Sequence, residues 1–183
     1  VDYRQFQIAK SLYTKEFFCN YANQVKPAFL ANNGIIKKVL VIDCDNTLWG
    51  GVLGEDGEDN LEMSNFSARG KSFSEVQHLI KSLEQKGVLL TLCSKNNPKD
   101  VDNVLKKHPD MVLKDQDFVA KKVNWSDKAK NIVELSKELN LGLDSFVFID
   151  DSEFEIGLIQ RALPEVRAVL VPKDISYYPS VIR

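Results

Sequence analysis

The sequence predicts an α/β fold built on a mostly parallel sheet, and three observations carry that expectation. Short continuous apolar runs recur at 39–42, 88–93, 145–149 and 166–171. Each of the first three is followed by a stretch with helical period. Strands alternating with helices form βα units, and these close into parallel sheets.

The elements follow in order. Residues 4–31 read as helical, with Phe6, Leu12, Tyr13, Phe17, Phe18 and Tyr21 as aromatic and apolar positions. Pro27 is placed to open a second short helix, and Asn32-Asn33-Gly34 is a stop. The run at 39–42 ends at Asp43 and reads as a strand buried on both faces. Residues 46–69 are rich in Gly and acids, so a loop is expected, with room for a small hairpin. A helix over 70–86 puts Phe73, Val76, Leu79, Ile80 and Leu83 on one face, and Gly87 closes it. The run at 88–93 is the second strand, and Pro98 starts the next helix. A weak strand is expected near Phe118-Val119, then a helix over 126–140 capped by Ser126. Leu141-Gly142-Leu143 turns the chain into a strand that ends at Asp150-Asp151. A helix at 153–162 and a strand at 166–171 complete the pattern.

Bulk properties narrow the function. Acids and bases are interspersed and the formal charge is −2, so nothing electrostatic favours a nucleic-acid or membrane partner. No apolar run approaches the roughly 20 residues of a bilayer span. Three cysteines, Cys19, Cys44 and Cys93, are an odd and sparse set. They suggest free thiols in a reducing compartment, and a cytoplasmic location is expected. The chain opens Val1-Asp2-Tyr3-Arg4, with neither an initiator Met nor a signal layout. An excised piece of a longer multidomain protein is therefore expected. Its division is a helical extension over 1–35, packed on a catalytic domain over 36–183.

Ligands of open parallel sheets bind beyond the carboxyl ends of the strands. Three predicted strand ends carry polar groups: Asp43-Cys44-Asp45-Asn46-Thr47, Ser94-Lys95-Asn96-Asn97 and Asp150-Asp151. Lys128, at a helix start, can reach the same rim. Taken singly, each has a bland explanation. Asp-x-Asp is common, Asp150-Asp151 fits a turn, Ser94 fits a helix cap, and most lysines are solvated. Their joint placement at strand ends is what carries the argument. Carboxylates converging on one rim repel one another unless a cation intervenes. An all-oxygen ligand set suits Mg²⁺ rather than Zn²⁺. Phosphoryl transfer needs a nucleophile, a proton carrier and charge neutralisation. Asp43, Asp45, and Ser94 with Lys128 can supply these.

Competing motifs fail. An EF-hand would need an acid or amide where Thr47 stands and Gly where Leu48 stands. Gly70-Lys71-Ser72 matches the end of a P-loop, but Asn65 occupies the place of the first Gly. Gly50, Gly51 and Gly54 do not make a dinucleotide fingerprint. His78 and His108 have no second His or Cys near them in sequence.

At this point the sequence resembles the haloacid dehalogenase superfamily. Asp43-Cys44-Asp45-Asn46-Thr47-Leu48 is similar to its first motif, Ser94 to the second, Lys128 to the third and Asp150-Asp151 to the fourth, across about residues 37–171. DCDNTLWGGVLGEDG, LCSKNN, VNWSDKAKNI and LGLDSFVFIDD resemble the FkbH-like subfamily more closely, as does the helical start with Ala9-Lys10. Ser152-Glu153-Phe154 departs from the subfamily's Asn-Pro, while Glu155 keeps an acid where one is expected.

The resemblance implies a Rossmann-like three-layer sandwich with a minimal cap. It implies Asp43 as nucleophile, Asp45 as general acid/base, and Ser94 and Lys128 holding phosphoryl oxygens. Mg²⁺ would be held by Asp43, the backbone carbonyl of Asp45, and Asp150, with Asp151 as a second candidate. Glu155 would sit behind the ligands. Thr47, Asn46 and Asn96 complete the candidate set on the substrate side, and Trp49 is placed either in the pocket wall or in the core. The expected activity is Mg²⁺-dependent phosphohydrolysis of an unknown phosphorylated substrate. The alternatives are a glyceryl transferase that loads an acyl carrier protein, beside an acyltransferase domain, and a non-catalytic interaction module.

Overall fold

The computed structural model describes residues 13–32 and 37–183. The chain divides into two units, Val1–Ile36 and Lys37–Arg183. In the first, helix α1 spans Lys15–Asn32. It continues across Pro27 instead of restarting there, so the expected second helix is not formed. Along it, Tyr13 stacks on Phe17 at 4.3 Å and Phe17 on Tyr21 at 6.1 Å. Phe6, Leu12 and Ala9-Lys10 lie outside the described residues.

The second unit is a five-stranded parallel sheet in the order β3-β2-β1-β4-β5. Its strands are β1 (Val39–Ile42), β2 (Leu89–Ser94), β3 (Phe118–Val123), β4 (Phe146–Asp150) and β5 (Arg167–Leu170). The central strand β1 is four apolar residues, all buried, because it is paired on both edges and covered on both faces. Between β1 and β2 come a single helical turn α2 (Leu53–Asp56) and helix α3 (Ala68–Gln85). The remaining helices are α4 (Pro98–Lys107), α5 (Lys128–Leu139), α6 (Glu153–Ala162) and the short α7 (Tyr178–Ile182).

The pleat sorts the core into two halves. On one face Leu40, Ile42, Leu90 and Leu92 meet Phe73, Val76 and Ile80 of α3 and Val101, Val104 and Leu105 of α4. On the other, Val39, Val41, Phe146 and Phe148 meet Ile132 and Leu135 of α5 and Ile156 and Ile159 of α6. Helices on both faces of the sheet give the three-layer sandwich that was expected.

Three further sequence expectations needed correction. Helix α5 is capped by Asp127, whose side chain accepts from the Lys130 amide, and not by Ser126. Ser126 instead donates its own amide to Asn124 Oδ1. Strand β3 runs six residues rather than the short piece foreseen. It is an edge strand, and the lysines at 121 and 122 that suit an edge hid its apolar pattern. The glycine-rich segment after β1 forms no full hairpin. It is a flap pinned by an antiparallel bridge between Gly50 and Glu62.

Candidate active site

The strand register assembles the rim. Ile42 pairs with Leu92 on one side and Ile149 on the other, so the chain leaves β1, β2 and β4 at nearly the same level. Asp43, Ser94 and Asp150 are those exits, and the Asp43 amide still bonds the Ile149 carbonyl. Asp43 keeps the alternation of Val39 and Val41, which turns it toward the α5 side.

Lys128, the first residue of α5, closes the group. Its Nζ donates to Asp43 Oδ1 at 2.9 Å and to Asp150 Oδ2 at 2.6 Å. The ammonium also lies 5.9 Å from the centre of the Phe148 ring. All three charged residues are buried. Asp150 is fixed from its other oxygen, which accepts from the Ser152 amide at 2.8 Å. Asp151 is exposed at the mouth, and carboxylate oxygens of Asp43, Asp150 and Asp151 all lie within 4.8 Å of one another.

The electrostatics of this group are unbalanced. Burial pushes the Asp43 carboxyl up to about 6, Lys128 pulls it back, and the Asp150 charge adds to the rise. Asp150 is raised by burial against the pull of Lys128, and Asp151 by burial and the Asp43 charge. Burial works against the charge of Lys128, but Asp43 and Asp150 outweigh it and hold the ammonium above the ordinary lysine range. Two buried carboxylates and the exposed Asp151 against one ammonium leave an excess of negative charge at the rim. An oxygen-only donor set with that residual charge fits a hard divalent cation.

Asp45 is held apart from this cluster. Its Oδ1 accepts from Trp49 Nε1 at 3.0 Å and from the Leu53 amide at 3.1 Å, and its Oδ2 accepts from Asn96 Nδ2 at 2.9 Å. The Asn96 amide also reaches Ser94 Oγ at 3.3 Å. Trp49 is fully buried, so it both packs the core and holds Asp45.

The other candidates fall in different places. Asn46 has φ +51, the left-handed conformation that Asn tolerates, in the turn that reverses the chain. Its Oδ1 accepts from the Gly51 amide and from Arg69, so its carboxamide oxygen is spent on the flap. Thr47 is fully buried, and its hydroxyl has no hydrogen-bond partner among the described residues. Glu155, on α6, is buried and pairs with Lys95 at 2.6 Å, tying the turn after β2 to α6. The reading of the sequence did not anticipate Arg69. It bridges Asn46 and Glu62 from a position 23 residues past the first of them, and no local pattern announces such a contact.

The two motif cysteines are buried and lie on opposite faces of the sheet. Cys44 packs with Leu48 and Trp49, and its thiol is raised well above the ordinary range by burial and by Asp43. Cys93 packs beneath α5 and is pushed up to about 12, chiefly by burial.

A cavity of about 370 Å³ opens beside Asp151, bordered by Asn46, Arg69, Pro172 and Lys173. Another, about 300 Å³ and mostly apolar, lies toward the opposite ends of the strands, against Val39, Val88 and Arg167. It is remote from the acids. Among the described residues no helix is long and apolar enough to cross a membrane.

No protein-family model matches the sequence, and no curated protein matches it. Solved structures do. The N-terminal part of the protein BF1531 from Bacteroides fragilis, containing a phosphatase domain and complexed with Mg, is 32% identical, with a TM-score of 0.83. The match covers 99% of this chain and 48% of that one, so the present chain spans about half the length of that relative. A predicted HAD-like family hydrolase from Porphyromonas gingivalis is 15% identical over 80% of this chain and 96% of its own, with a TM-score of 0.55, and shares the fold. The chain thus shares its fold with these structures, and Asp43, Ser94, Lys128 and Asp150 gather where its strands end.

Proposed function

We propose that the chain is a Mg²⁺-dependent phosphohydrolase acting through an aspartyl-phosphate on Asp43. The observation that carries the proposal is the buried bridge of Lys128 between Asp43 and Asp150, with Asp151 at the mouth. A structural ion pair needs one carboxylate per ammonium. Here three converge, and a bound cation would relieve the surplus negative charge. The Mg-complexed phosphatase-domain structure, with its one-third identity over nearly the whole of this chain, supports the same reading.

Asp43, Asp150 and Asp151 would hold the Mg²⁺, together with the backbone carbonyl of Asp45. When bound, the ion neutralises charge on the transferring phosphoryl group. An Asp43 oxygen attacks phosphorus as the ester P–O bond breaks, and Asp45 gives its proton to the leaving oxygen. Water then attacks the phosphorus, Asp45 takes the water's proton, and phosphate leaves Asp43. Lys128 and Ser94 hold non-bridging oxygens throughout. The flap at 46–67 provides no helical cap, so the site is open to a bulky substrate or is covered by another domain.

Membership of the FkbH-like subfamily is part of this proposal and rests on the motif wording around Asp43, Ser94 and Asp150. The subfamily's glyceryl-transfer chemistry, with an acyl carrier protein or acyltransferase domain as partner, is less favoured. Both site-adjacent thiols are buried and raised, which makes them poor acyl acceptors. A purely structural module would gain nothing from this uncompensated acid cluster. The test is a screen of phosphate esters and acyl phosphates with Mg²⁺ and with EDTA, on wild type and Asp43→Asn. Release of phosphate that needs both the metal and Asp43 is expected. Equal release without either would refute the assignment.

A further inference from the structure

From the hydrogen bonds around Asp45 we infer that Asn96 and Trp49 are positioning residues, which together with the Leu53 amide aim Asp45 Oδ2 at the leaving-group oxygen. The inference rests on the phosphohydrolase reading and adds to it the groups that set its proton transfer.

The three donors come from two segments: the indole of Trp49 and the first amide of α2 in the flap, and the Asn96 side chain after β2. Two of them converge on Oδ1, which leaves that oxygen saturated. Only one reaches Oδ2. The proton that Asp45 gives and recovers therefore rides on Oδ2. With both ends of the carboxylate engaged, its rotation is restrained before substrate arrives, which is how positioned acids gain rate. Asn96 adds a second link, because the same amide nitrogen touches Ser94 Oγ. The hydroxyl proposed to hold the phosphoryl group and the acid proposed to protonate its leaving oxygen share one anchor. This changes the expectation for Asn96. Its amide is committed to Asp45 and Ser94, and it is buried, so it acts on the substrate through them.

A residue that positions a general acid has a signature that a packing residue lacks. Its loss should be felt by esters whose leaving group must be protonated, and far less by esters whose leaving group departs as a stable anion. The experiment measures kcat/KM for wild type, Asn96→Ala, Asn96→Asp and Trp49→Phe on a graded series of aryl phosphates, from p-nitrophenyl to p-methoxyphenyl, with Mg²⁺. This ratio reports the steps through phosphoryl transfer to Asp43, so hydrolysis of the phosphoenzyme does not enter. Loss in Asn96→Ala should be under about tenfold for p-nitrophenyl phosphate. It should grow toward the ~10²-fold or more that general acids contribute as the phenol becomes less acidic. Asn96→Asp keeps the shape but sets a like charge against Asp45, and should be worse than Asn96→Ala. Trp49→Phe keeps the ring and deletes one donor, and should steepen the series to a lesser degree. Thermal melts confirm that each variant is folded. If Trp49→Phe is not, the two Asn96 variants decide alone. A uniform loss along the series, or Asn96→Asp matching wild type, overturns the inference while leaving the phosphohydrolase reading intact. A wild type that hydrolyses no member of the series, or an Asp43→Asn variant as active as wild type, overturns both.

Discussion

Replacing Asp43 with Asn should abolish turnover and, in the absence of metal, make the protein more stable near neutral pH. The stability arm is the more searching test of the electrostatics. Asp43 is buried at 5% exposure, and its carboxyl is raised from 3.8 to about 6, first by burial and then by the balance of Lys128 and Asp150. The folded state thus holds the Asp43 proton more tightly than the unfolded chain does. Between these two pKa values the native state binds more protons, so its stability falls as pH rises. The contribution is fully present below about pH 3.8 and is lost as pH passes 6. At pH 8 the ionised carboxylate therefore costs about 3 kcal/mol, two pKa steps at about 1.4 kcal/mol each. Asparagine is neutral at every pH, and its carboxamide oxygen can still accept from Lys128. Urea unfolding in EDTA at pH 5 and pH 8 measures the difference, with the m-value confirming that the same surface is exposed. The advantage of the variant should widen by roughly 1 kcal/mol between the two pH values. Saturating Mg²⁺ should narrow it, because the cation binds only the folded wild-type site tightly. A variant less stable than wild type at pH 8 in EDTA would show that Asp43 is not held against its own charge.

Three further outcomes are expected. Asp150→Ala should remove Mg²⁺ binding, which in wild type should be weak alone and stronger with a phosphate mimic that completes the ion's shell. Titration calorimetry showing unchanged affinity would move the metal site elsewhere. Lys128→Met should destabilise the metal-free protein by roughly 3–5 kcal/mol at pH 8, since it leaves two buried carboxylates facing each other. The loss should be smaller at pH 5, where they can protonate, and melts showing equal loss at both would count against the charge argument. Cys44→Ala and Cys93→Ala should each retain phosphatase turnover. Mass spectrometry after exposure to a glyceryl phosphate donor should find no three-carbon adduct on either, and a stable thioester there would promote the transferase reading.

Much of this architecture was legible in the sequence because its strands are short apolar blocks that end on polar residues. The β1 block and its Asp43 exit are visible by inspection, and so are the Pro98 start and the helix that follows Asp150-Asp151. What hid was whatever depends on tertiary position. Strand β3 carries Lys121 and Lys122 before its last residue, as suits an edge strand, and they interrupt its apolar pattern. The cap of α5 passed from Ser126 to Asp127 because two adjacent capping residues compete and only the backbone path decides between them. The charged residues of the site were found one strand end at a time, but the joint hold of Trp49, Leu53 and Asn96 on Asp45 could not be. It joins residues up to 51 positions apart, and one of its donors is a backbone amide, which carries no sequence signal.

The place of β1 in the middle of the sheet has a consequence for the timing of folding. Asp43 meets Lys128 across 85 positions, and Asp150 comes from the strand that pairs with β1 on the side away from β2. The acids confront one another only once β4 has docked, and contacts so distant in sequence carry a large loop-closure cost, so they should form late. Their repulsion therefore weighs on the finished structure far more than on the routes that lead to it. A cation that quenches it should leave the refolding rate nearly unchanged and slow the rate of opening. In such a molecule the bound ligand acts as a latch on the folded state, lengthening its lifetime without helping it to form.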